Sequence, residues 1–151
     1  MKELPNKVAE IQITYKPLLP ASQRPQISIS NDAEQIFRKV LDNNLMAIKE
    51  EAAILFLNRS NRVIGAYNIS SGGITGTVVD IRLILGIALK ALACNLIIAH
   101  THPSGELKPS QADLEMTKRL KESAKLMEIS LLDHLIISTE SYFSFADEGI
   151  L

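Results

Sequence analysis

The stretch "NLIIAHTHPSGELKPSQAD", Asn95 to Asp113, decides how the rest of the chain is read. "NLIIA" is a short, almost wholly apolar run, the pattern of a strand buried on both faces, and it ends at His100. His100 and His102 stand two residues apart. In extended backbone such side chains point the same way, so both imidazoles can reach one point. Pro103 ends the strand, because it has no N–H to give a neighbouring strand. Ser110 then opens a predicted helix to Met127 and puts Asp113 in its first turn.

Each fragment has an ordinary explanation of its own. His-x-His is common in loops. Ser-x-x-Asp is a helix cap, with the serine oxygen accepting from the backbone and the aspartate favoured near the positive end of the helix. Joined as His-x-His-Pro-x6-Ser-x2-Asp, they fix five positions at set spacing. Average residue usage gives that on the order of once in 10⁵ chains of this length, so the combination is read as a site. Two imidazoles and a carboxylate form a three-ligand set that leaves one tetrahedral position for water, as in catalytic zinc centres. Water held by zinc has a pKa of about 7, so hydroxide becomes available at neutral pH.

Outward from this stretch, helices alternate with strands. Ile11, Ile13 and Tyr15 alternate with polar neighbours, as in a short strand, and "KPLLPASQRP" (16–25) reads as a linker or arm. A helix is expected over "SNDAEQIFRKVLDNN", capped by Asn31 with Glu34 three residues on, and with Ile36, Phe37, Val40 and Leu41 as its apolar stripe. "AAILFLNRSNRVIGAYNIS" reads as a hairpin with Ile54–Leu57 and Val63–Ile69 as its arms. "SGGITGT" is glycine-rich but lacks the spacing of a phosphate loop. "VVDIRLILGIALKALA" is apolar around most of its circumference, as expected of a helix buried on a sheet, with Asp80 at its positive end. On the helix from Ser110, residues Leu114, Thr117, Leu120, Ala124 and Met127 share a face. "ISLLDHLIIST" and "SYFSFAD" close the chain as two strands around a turn at Glu140. His134, on the first of them, is read as a structural histidine rather than a third imidazole ligand. The sum is an α/β domain with helices packed on a sheet. Residues 1–30 form an arm with a short strand, and residues 31–151 form the domain.

Composition narrows the function. At 151 residues the chain suits one domain, and 46% hydrophobic residues suit a globular core. Sixteen basic and 17 acidic residues leave a net charge of −1, which argues against a broad basic face for gripping nucleic acid. Cys94 is the single cysteine, so no internal disulfide forms and a reducing compartment is the simplest setting. "MKELPNKVAEIQITYK" lacks the apolar core of a signal peptide. The apolar run from Ile81 to Ala99 is interrupted by Arg82, Lys90 and Asn95, so no membrane span is expected. The expected location is cytoplasmic.

His-x-His-Pro-x6-Ser-x2-Asp is the signature of the JAMM (MPN+) metalloproteases, and the surrounding sequence resembles the RadC branch of that family. The resemblance rests on "FLNRSNRVIG", Arg82 with "IAL" behind it, "IIAHTHPSG", "PSQAD", "LLDHLIIS" and "YFSFADEG", and runs from Glu34 to Leu151. It implies a three-layer α/β/α, cytidine-deaminase-like fold with a mixed sheet. It also implies a zinc hydrolase acting on peptide or isopeptide bonds, under a branch label of DNA repair. His100, His102 and Asp113 fall on the zinc ligands, and Ser110 on the serine that helps hold the oxyanion. The family's acid/base glutamate falls on Glu50 or Glu51. Strand alternation lets only one of them face the metal; the eight-residue spacing to Asn58 favours Glu50, and Glu51 is read as a solvated charge. In this mechanism Glu50 takes the water proton and passes it to the leaving nitrogen. Thr101 replaces the asparagine usual between the histidines; its side chain should face away from the metal, with little effect on ligation. Ile81-Arg82-Leu83 replaces the usual Pro-Arg-Glu. The thirty residues before the domain carry no helix-hairpin-helix pattern, the element most tied to DNA in RadC proteins.

Two other functions compete with the hydrolase. A non-catalytic metal-binding module would recruit a partner or DNA in a repair or mobile-element system, and would need no acid/base at position 50. A zinc nucleobase deaminase would need a Pro-Cys-x-x-Cys ligand pair, which a chain with one cysteine cannot supply. Exposed strand edges and the proline-rich arm are compatible with a homodimer.

Overall fold

Residues 52–57 and 96–100 are buried almost without interruption, as strands covered on both faces must be. They lie side by side at the centre of one sheet. The computed structural model describes residues 8, 9, 12, 16–71 and 79–151. Three helices, α1 (Ser30–Val40), α2 (Ile81–Ala91) and α3 (Gln111–Leu126), accompany strands β1 (Glu51–Leu57), β2 (Val63–Ser71), β3 (Asn95–Thr101), β4 (Ser130–Ile137) and β5 (Tyr142–Ser144). The strand order is β2-β1-β3-β4-β5. Only β3 and β4 run parallel, which is why α3 connects them: a parallel pair needs a long crossover. The expected strand at Ile11, Ile13 and Tyr15 and the glycine-rich stretch from Gly72 to Thr77 lie outside the described residues.

Alternation along the central strands divides the core in two. Ala53, Leu55 and Leu57 of β1, with Ile97 and Ala99 of β3, face Ala33 and Phe37 of α1. Ile54 and Phe56, with Leu96 and Ile98, face Ile84 and Ala88 of α2 and Leu120 and Ala124 of α3. The result is the three-layer α/β/α arrangement with a mixed sheet. The arm is pinned at its end: Val63 N–H donates to Pro25 O at 2.8 Å and Ile27 N–H to Asn61 O at 2.9 Å, and Ile27 packs into the α1 side of the core.

Three local expectations are corrected. Asn31 does not cap α1, because the helix starts one residue earlier. There the Asp32 carboxylate accepts from the Ser28 and Ile29 N–H groups at 2.8 and 3.0 Å, and Glu34 pairs with Arg38 one turn on. Helix α2 is not buried around its circumference: Ile84 and Ala88 are its buried residues, and Leu83 and Leu89 are exposed. A single sheet face covers only one side of a helix. Asp80 does cap it, accepting from Arg82 N–H at 2.9 Å. On α3, Thr117, Leu120 and Ala124 are buried as expected, but Leu114 and Met127 at the two ends of that stripe are exposed.

Candidate metal centre

The site forms where β3 ends, against the start of α3. His100 is the penultimate residue of β3, paired with Ala52 of β1. Pro103 and Gly105 then turn the chain: Gly105 N–H donates back to His102 O at 3.0 Å, and Gly105 has φ +81°, which its missing Cβ permits. This turn carries the Glu106 carbonyl to within 2.6 Å of His102 Nδ1. A carbonyl only accepts, so Nδ1 holds a proton and the ring turns Nε2 toward the site.

That nitrogen meets two further groups. His100 Nε2 lies 2.8 Å from His102 Nε2 and 3.2 Å from Asp113 Oδ1, and His102 Nε2 lies 3.5 Å from Asp113 Oδ2. Ligands at about 2.0–2.1 Å from a tetrahedral zinc stand roughly 3.3 Å apart, a value these spacings bracket. The same three residues form the described group of His, Cys, Asp and Glu side chains able to hold a metal ion together. Asp113 is fixed by the cap it shares with Ser110: its Oδ2 accepts from Ser110 N–H at 2.7 Å, and Ser110 Oγ accepts from Asp113 N–H at 3.1 Å. Capping and ligation therefore coincide in one geometry.

The electrostatics suit a cation. Burial would raise the Asp113 carboxyl, but its contacts with His100 and His102 outweigh that and hold it far below the usual carboxylate range. The hydrogen bond to Asp113 raises His102 above the ordinary imidazole value, against the effect of burial.

Glu50 lines the same cleft as His100 and Asp113, together with Ala52, Ile98 and Met116; its volume is about 80 Å³. Glu51 points elsewhere, accepting from Asp42 N–H at 3.2 Å and approaching Lys49 Nζ at 3.8 Å. Its carboxylate is thus tied to the loop before β1 rather than merely solvated. Ser110 is the α3 cap, hydrogen-bonded to Asp113.

Two features escape a reading of the sequence. Thr101 faces away from the three ligands, as expected, but that it brackets Glu50 was not foreseen: its Oγ1 accepts from Glu51 N–H at 2.9 Å and donates to Lys49 O at 3.3 Å. His134 is fully buried and stacked on Phe145 at 4.4 Å, a core histidine as expected, yet its Nε2 lies 2.8 Å from His100 Nδ1 and its Nδ1 2.6 Å from Thr117 Oγ1. Burial first, and then the neighbouring His100, push its pKa well below the ordinary value, so the ring is neutral. The one available signal was the placement of Thr117 four residues after Asp113, one helical turn on.

Comparison with known proteins places the chain among its relatives. The family described as "RadC-like JAB domain" matches residues 27–150. A UPF0758 protein of Flavobacterium johnsoniae is 46% identical over 125 residues, which cover 83% of this chain and 53% of that protein. A UPF0758 protein of Porphyromonas gingivalis is 39% identical over 134 residues, covering 88% and 59%. One from Clostridium perfringens is 38% identical over 130 residues, covering 86% and 57%. The chain spans about half the length of these curated relatives.

Proposed function

Because the chain belongs to the RadC-like JAB domain family, whose wider superfamily is commonly hydrolytic, we propose that it is a zinc-dependent hydrolase cleaving a peptide or isopeptide amide bond. The observation that carries this reading is a cluster of two imidazoles and one carboxylate with Glu50 in the same cleft. His100, His102 and Asp113 would hold the ion. Zinc bound there supplies Lewis acidity and brings the pKa of water to about 7.

The chain's own groups do the rest. Glu50 accepts a proton from the attacking water and returns it to the nitrogen as the C–N bond breaks, leaving a carboxylic acid and an amine. Ser110 Oγ already accepts from Asp113 N–H, so its hydroxyl hydrogen is what it can donate to the developing oxyanion. Thr101 holds the backbone on either side of Glu50. A module that held the ion only for structure would have no use for Glu50, which separates this reading from a non-catalytic binding module. The single cysteine is exposed and free, which suits a reducing cytoplasm. Among the described residues no helix is long and apolar enough to cross a membrane.

The test is metal analysis followed by a peptide-library digest read by mass spectrometry. Protein purified without chelator should carry about one zinc per chain, lost in His100→Ala and Asp113→Ala. Glu50→Gln should keep the zinc and lose cleavage. A parent protein that takes up no zinc, or a Glu50→Gln variant that cleaves as well as the parent, would overturn the proposal.

A further inference from the structure

Behind His100 runs a chain of hydrogen bonds whose directions can be deduced one by one. Thr117 Oγ1 lies 2.6 Å from the backbone carbonyl of Asp113. A carbonyl can only accept, so the hydroxyl spends its single hydrogen there, in the back-bond to residue i−4 that threonine makes within helices. Thr117 Oγ1 must therefore accept from its other neighbour, His134 Nδ1, at 2.6 Å. His134 is wholly buried and neither of its ring partners is a carboxylate, so the ring has no counter-charge and is neutral; with the proton on Nδ1, its Nε2 carries a lone pair. That lone pair can only accept from His100 Nδ1, 2.8 Å away. His100 is then left with its proton on Nδ1 and its lone pair on Nε2, aimed at His102 and Asp113.

We infer that Thr117 and His134 are positioning residues that fix the tautomer of His100 and so make the site ready for a metal before any metal arrives. A ligating imidazole works only if its metal-facing nitrogen is unprotonated, and the group on its other nitrogen sets which nitrogen that is. Here that group is a second imidazole, itself set by a threonine hydroxyl anchored to the backbone of Asp113. The relay starts and ends at the ligand set: the helical turn that presents Asp113 also dictates which nitrogen His100 presents. His102 reaches the same state independently through the Glu106 carbonyl. Both rings consequently carry a proton on Nδ1 and turn Nε2 to the ligand set, where the 2.8 Å contact between the two Nε2 atoms needs one further proton, the one a metal ion would displace. The burial of Thr117 and His134, exposed by 4% and 0%, keeps water from offering either of them an alternative partner.

This inference rests on the zinc reading for its purpose, but its first test needs no metal. In metal-free protein with ¹⁵N-labelled histidine, long-range ¹H–¹⁵N correlation at neutral pH should show His100 and His134 both as Nδ1–H tautomers. Either ring found predominantly as Nε2–H overturns the relay. The second test is zinc affinity by competition with a chromogenic chelator. Thr117→Val removes the hydroxyl acceptor and should weaken zinc binding by about 10- to 100-fold, with His134 and His100 shifting toward Nε2–H. Thr117→Ser restores the hydroxyl and should restore both the affinity and the tautomers. Parent-like zinc affinity in Thr117→Val overturns the inference. If Thr117→Val fails to fold, the tautomers of the parent still decide. A parent with the stated tautomers and no affinity for zinc would sink the hydrolase proposal and leave the relay standing.

Discussion

Thr101 and His134 carry the most informative single-residue predictions, because neither is a candidate ligand. Replacing Thr101 with valine removes the hydroxyl that accepts from Glu51 N–H, at a position with no exposure. A part-buried backbone N–H that loses its acceptor costs about 1–3 kcal/mol. Urea denaturation of Thr101→Val should show a loss of that size while zinc stoichiometry stays at the parent value. For His134 the prediction concerns acid. In the unfolded chain this ring takes up a proton near its ordinary pKa of about 6.5, but the buried folded ring has its pKa pushed well below that. Below pH ~6.5 the unfolded state therefore binds more protons, and folding stability falls with pH by up to about 1.4 kcal/mol per unit. Denaturation in chelator between pH 6.5 and 5 should show this slope in the parent, and a shallower one in His134→Gln. His100, His102 and Asp113 were legible in the sequence because their spacing is itself the signal; strand alternation left one of Glu50 and Glu51 for the metal side, and only the resemblance, through the spacing to Asn58, favoured Glu50. The partnership of His134 with His100 was not legible, since it joins residues 34 apart through a parallel strand pair that no local pattern announces.

At the level of elements, Ser110 has two duties that substitution can separate. As the α3 cap it accepts from Asp113 N–H, and alanine there should cost about 1 kcal/mol, glycine only a few tenths. Both changes remove the hydroxyl. If Ser110 also steadies the oxyanion, Ser110→Gly should lose cleavage as fully as Ser110→Ala while melting close to the parent. Equal cleavage by Ser110→Gly and the parent would leave the serine as a cap alone. The five strands and the helix over 111–126 were readable from periodicity, proline and the Ser-x-x-Asp pattern, but not all strand ends: β1 starts at Glu51 rather than Ile54, and β5 is confined to Tyr142–Ser144. Burial around α2 was not readable either: "IRLILGIALKA" is apolar on nearly every side, but only Ile84 and Ala88 are fully buried, with Ile81, Leu85 and Ile87 partly covered beside them. Composition gives a helix its apolar character, whereas the number of layers packed on it sets which side is covered. The start of α1 was misplaced because Asn31 is a good capping residue by type, whereas the extended backbone at Ile29 makes that residue the N-cap and Asp32, three residues on, closes the turn.

Across the whole molecule, the metal site joins the two elements that build the crossover, the end of β3 and the start of α3. Ion binding should therefore stabilise the entire fold rather than a loop. Zinc at a hundredfold excess over its Kd should add about 2.7 kcal/mol, raising the melting temperature of the parent and leaving that of His100→Ala unchanged. The most direct measurement is zinc K-edge X-ray absorption on the loaded protein. The account predicts four light-atom ligands at about 2.0–2.1 Å, two of them imidazoles with the distinct outer-shell scattering of the ring. A first shell containing sulfur at about 2.3 Å, or one unchanged when His102 is replaced by alanine, would contradict it.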